Sequence, residues 1–141
     1  MNIKSLAVIL AIATFVGLAG CTPVQEKHES NQLAATAART PYPSTMQAKQ
    51  SDRVGAIIDR AGNSIDLANF GNIQIHDADV WINNAFVYHI DTLPSNGYLR
   101  LNLGSFYDQS GNAFGTHNVR VNSVQIAAKD TLWTLMGPIN H

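Results

Sequence analysis

A single cysteine, Cys21, stands among the 141 residues, so no disulfide can staple the chain internally. Charge is scarce as well. Only 13% of residues are Asp, Glu, Lys or Arg, and the formal net charge is −1. Such a surface offers no basic footprint for nucleic acid and no charged run to attract an acidic partner. Glutamate stops at Glu29, and every later carboxylate is an aspartate. The five histidines include no pair at the i, i+4 spacing of a helical zinc site. No Gly-x-Ser-x-Gly elbow is present, and no second cysteine to pair with a catalytic histidine elsewhere. These absences leave neither a metal site nor a cofactor to expect. They also remove the usual signatures of nucleophilic catalysis.

What the chain does have begins at the N-terminus. Lys4 precedes an apolar stretch over 6–18, and Ala19 and Gly20 follow before Cys21. A positive start, an apolar centre and small residues at a cleavage site make a secretory signal peptide. The apolar stretch is too short for the roughly 20 residues of a comfortable membrane span. Leu18-Ala19-Gly20-Cys21 resembles the lipobox of bacterial lipoproteins. The resemblance implies cleavage before Cys21, a diacylglyceryl thioether on its sulfur and acylation of the new amine. Such chains, palmitate among them, hold a protein on a membrane where one chain alone does not. Thr22 stands where an Asp tends to retain lipoproteins in the inner membrane, so the resemblance favours the outer membrane over the inner one. The rival is a cleaved signal peptide that leaves a soluble, exported protein with one free thiol.

Residues 21–52 are polar and punctuated by Pro23, Pro41 and Pro43. Large apolar residues are too sparse there to offset the entropy of ordering. Residues 31–39 could form a short helix capped by Asn31, marginal on its own. The stretch reads as a flexible linker with a reach of roughly 30 Å.

From residue 53 the pattern turns to strands. Expected strands cover 54–59, 64–69, 72–76, 79–82, 85–90, 98–103, 119–127 and 132–136. Asn83-Asn84 suits a tight hairpin, because Asn tolerates positive φ. Leu99, Leu101 and Leu103 alternate with Arg100 and Asn102, as one buried and one wet face require. Val119 and Val121 lie out of phase with Val124 and Ile126, which a bulge near Asn122-Ser123 would explain. Short strands spaced by turns predict an all-β fold, an antiparallel immunoglobulin-like sandwich or, alternatively, a small barrel. Val80-Trp81-Ile82-Asn83, the leucine-alternating strand, Phe106 and Gly111 resemble a pattern of small exported β-sandwich domains. The expected organisation is a signal peptide over 1–20, a linker over 21–52, the β domain over 53–137 and a tail over 138–141.

Candidate chemistry is thin. His76-Asp77-Ala78-Asp79 reads as a polar turn, and adjacent strand residues face opposite ways, so they cannot easily share one ion. Trp81, Tyr88 and Trp133 are the candidate binding residues, an aromatic platform set against the commoner role of strand aromatics in the core. The expectation is a lipid-anchored, non-enzymatic envelope protein that binds a protein or a glycan and no nucleic acid. A hydrolase built from scattered Asp and His, or a metal-binding module, are the alternatives. Lysozyme inhibitors, another class of small envelope lipoproteins, tend to carry a disulfide that this chain lacks.

Overall fold

The structure, a computed structural model, describes residues 23–115 and 119–140. It is all-β apart from one α-helix, α1 (Pro23–Arg39), and a 3₁₀ turn at Leu103–Ser105. Seven strands follow α1: β1 (Lys49–Asp59), β2 (Ser64–Asn69), β3 (Ile75–Ile82), β4 (Phe86–Leu93), β5 (Gly97–Asn102), β6 (Val124–Ala128) and β7 (Thr131–Asn140). They form one mixed sheet in the order β4-β3-β6-β7-β1-β2-β5. Every neighbouring pair is antiparallel except β1 with β7, which is parallel.

Period-two alternation builds the core. Val54, Ala56 and Ile58 of β1 face inward with Ile65 and Leu67 of β2, Val80 and Ile82 of β3, and Ile126 of β6. Burying side chains of this size contributes about 1.5–3 kcal/mol each before entropy is counted. The hairpins turn on residues that accept positive φ. Asn63 has φ 50°, Asn83 and Asn84 have 54° and 60°, and Lys129 has 53°. The two edges of the sheet also meet. After β5 the chain passes through the 3₁₀ turn, and Tyr107 exchanges backbone hydrogen bonds with Val87 of β4 at 2.9 and 3.2 Å. The sheet therefore curls nearly into a barrel, and the edge of β4 is partly covered.

Four expectations need correction. The linker assigned to 21–52 contains α1, and β1 already begins at Lys49. Alanines at 34, 35, 37 and 38 favour helix, Arg39 suits its negative end, and Pro41 stops it. Ala37 is buried against Trp81 and Val87, so tertiary contact supports a helix that would be marginal alone. The strand over 72–76 is largely a loop, with Ile73 exposed. The Asn69 side chain donates to Ile73 O and accepts from Gly71 N, which holds that loop closed. His76-Asp77-Ala78-Asp79 consequently lies within β3, with Asp77 at φ 50°. The C-terminal tail is also part of the sheet. β7 runs on to Asn140, and Ile139 and Asn140 pair with Ile57 and Ile58. Pro138, which has no N–H to give, falls where the register shifts.

The fourth correction explains the phase switch after residue 119. It is a break in the strand, not a bulge within one, and β6 begins only at Val124. Asn83 fills the break. Its Nδ2 donates to Arg120 O at 2.6 Å, and its Oδ1 accepts from Asn122 N at 2.7 Å and Ser123 N at 3.2 Å. Asn83→Ala removes all three bonds and places a Cβ-only residue at positive φ. We expect a loss of about 2 kcal/mol or more in urea unfolding. Asn83→Asp, which keeps the acceptor, should lose less.

Candidate functional site

A cleft opens where β1 leaves β7. Lys49 and Gln50 pair with Trp133 and Thr134, after which the ladder is interrupted until Gly55. Ser51 causes the interruption. Its buried hydroxyl accepts from Arg53 N at 3.2 Å and Val54 N at 2.8 Å, turning the backbone away from its neighbour. The space left is a cleft of about 430 Å3, within the range of small-ligand sites. Val54 and Ile75 supply apolar lining, half-buried Trp133 stands on one side, and Arg53, His76 and Lys129 lie among the polar residues. The loop bound by Asn69 closes one wall, and Asn96 N donates to Gly71 O behind it at 3.0 Å.

A second cleft of about 340 Å3 lies between α1 and β4. Here Asp79 Oδ1 contacts His89 Nδ1 at 2.9 Å, while Asp77 and Asp91 approach His89 Nε2 at 3.4 and 3.9 Å. The cross-strand ladder pairs Asp79 with His89 directly. Thr36 and Thr40 also line this cleft, but their hydroxyls donate to the carbonyls of Gln32 and Thr36 at 3.0 and 2.9 Å. Neither hydroxyl is directed at His89. Among the described residues, no group of three or more His, Cys, Asp or Glu side chains is placed to hold a metal ion.

The three aromatic candidates do not meet. Trp81 is 1% exposed and lies under Tyr42, whose ring stands edge-on to it at 5.3 Å. Tyr42 OH donates to Gln125 Oε1 at 2.7 Å, beside the indole in the ladder. Tyr88 packs against Phe106 on the core side, their ring centres 5.5 Å apart. Trp133 borders the cleft beside Ser51, Tyr88 lines the one between α1 and β4, and Trp81 lies with Tyr42 at a third of about 270 Å3. His76 is separated from His89, for its ring pairs with Thr92 Oγ1 at 3.1 Å, one residue out of phase with the Asp79–His89 row. Cys21 and His117 lie outside the described residues. Ser51, Arg53 and Lys129 were not singled out from the sequence. Lys129-Asp130 is a polar pair between two apolar runs, and nothing in it points to a cleft.

Two carboxylates are held below the usual range by their surroundings. At Asp66 the hydrogen bonds from Arg100 dominate, two contacts of 2.7 Å, and they outweigh burial. At Asp108 burial acts upward. It is outweighed by donors from the Asn112 side chain and from the backbone at Asn112, Ser110 and Gly111. A lowered folded-state value means that the stabilisation is present above the ordinary 3.8 and is lost as pH falls through the folded value. The urea midpoint should therefore drop between about pH 5 and pH 2. Asp66→Asn and Asp108→Asn together should make that drop shallower; an unchanged slope would contradict the assignment.

Comparisons with protein-family models, with curated proteins and with solved structures return no match.

Proposed function

We propose that the protein is a lipid-anchored module of the cell envelope, carried on the outer membrane through Cys21, whose β domain binds a glycan. The observation that carries the binding part is the cleft beside Trp133. A half-buried indole next to apolar and hydrogen-bonding residues suits a sugar, which has an apolar C–H face and a hydroxyl rim. Leu18-Ala19-Gly20-Cys21 supports the anchor, and the residues before β1 supply the distance from the membrane. For the finer fold our reading is an immunoglobulin-like pair of layers that share β1. In that reading the continuous order of the sheet would divide into β5-β2-β1 and β1-β7-β6-β3-β4. The antiparallel and parallel partners of β1 lie on either side of that division.

A second reading, a hydrolase, draws on the 2.9 Å Asp79–His89 contact beneath α1. The helix carbonyls that occupy the nearby hydroxyls weigh against it.

The test is co-sedimentation of the full-length, detergent-solubilised protein with purified cell-wall glycan. The wild-type chain should pellet with the glycan, and Trp133→Ala should remain in solution. Equal pelleting of the two would overturn the cleft as the site. If neither pelleted and cross-linking in intact cells captured a protein at the cleft, the glycan reading would fall.

A further inference from the structure

We infer that the cleft beside Trp133 takes an acidic sugar, a pyranose ring carrying a carboxylate. The inference rests on the glycan reading above and adds the charge of the ligand.

Charge is distributed unevenly over this chain. The whole sequence carries −1. In the cleft, however, Arg53 and Lys129 face a single aspartate, Asp52. The histidine there, His76, already has Thr92 as a partner. Asp77, Asp79 and Asp91, by contrast, gather around His89 in the other row of β3 and β4. The cleft thus carries a cationic excess on a slightly acidic protein, and an anion entering it meets attraction.

Arg53 is suited to a carboxylate. Among the described residues its side chain makes an ion pair with Asp52 alone, at 3.7 Å from Nε, with both side chains largely exposed. A contact that long and that wet holds it weakly. The guanidinium can turn its planar pair of N–H donors to a ligand carboxylate, the geometry that arginine recognises best. Its backbone is fixed meanwhile, with the N–H on Ser51 and the carbonyl accepting from Phe70 N at 2.7 Å. Gly71 gives the stem room, for a Cβ there would stand 3.3 Å from Arg53 Cδ. Lys129 is presented by the β6–β7 hairpin at φ 53°, so its backbone is also set before the ligand arrives. Sites whose charged groups are positioned in advance lose less in ordering on binding. Trp133 supplies the face on which the ring rests, and it follows the same hairpin by only a few residues.

The test uses the full-length protein in detergent, titrated with oligogalacturonate and with its neutral methyl ester. The acid should bind about tenfold or more tighter than the ester. Added salt should narrow that gap. Arg53→Gln with Lys129→Gln should erase it, and both residues are exposed, so folding should be retained. Trp133→Phe should keep binding where Trp133→Ala weakens both ligands alike. Equal affinity for acid and ester would overturn the acidic inference while leaving the glycan reading standing. Binding of neither would overturn both. Competition by inorganic phosphate as strong as that by the acid would show an anion site without a sugar ring, and would also overturn it.

Discussion

Cys21→Ser is expected to transfer the protein from alkaline-washed membranes to the soluble fraction. The thioether needs the sulfur, and a serine hydroxyl is not a substitute for it. Each acyl methylene buried in the bilayer contributes about 0.8 kcal/mol, so losing two or more chains removes the anchor altogether. Among the described residues, no helix is long and apolar enough to cross a membrane. Retention of the variant in washed membranes would contradict the anchor.

Trp81→Ala should be the most damaging single change within the β domain, lowering stability by about 3–5 kcal/mol. The indole is among the largest fully buried side chains, in a small cluster with Ala37 and Val87 and against the Tyr42 ring. Its removal leaves a cavity between α1 and the sheet. α1 has few other attachments, so the lost contact should also release the N-terminal segment. Two measurements follow, the urea midpoint and the rate of proteolysis between α1 and β1, and both should change. Trp81→Phe should recover part of the loss. The buried Nε1–H has no partner among the described residues, so removing that donor costs no hydrogen bond. Tyr98→Ala, at a side chain 74% exposed, should change stability little. A small effect of Trp81→Ala would mean that Ala37 and Tyr42 do not pack as described.

Local pattern made much of the fold legible. Ile65 and Leu67, or Leu99 and Leu101, alternate because one face of a strand is buried, and Asn83-Asn84 turns because asparagine tolerates positive φ. What was not legible depends on residues far apart in sequence. The break before β6 is made by Asn83, 39 residues before Asn122, and a single pass along the chain sees only the phase change. The ordering of α1 depends on Trp81 and Val87, which its composition cannot disclose. The cleft is harder still. It exists because the first and last strands run side by side in parallel and Ser51 interrupts their pairing. Ser51, Arg53, Lys129 and Trp133 meet only through that pairing, so Trp133 could be named as an aromatic candidate but not given its neighbours. Trp81 and Tyr88 look alike in the sequence, and the ladder alone sends them to opposite faces of the sheet.

Export and lipidation of the chain underlie the proposed function, and intact mass measurement of the protein extracted from membranes tests them most directly. It should give a chain beginning at Cys21 and carrying the mass of a diacylglyceryl group plus one further acyl chain. A chain that retains Met1, or one whose Cys21 thiol is free, would contradict it.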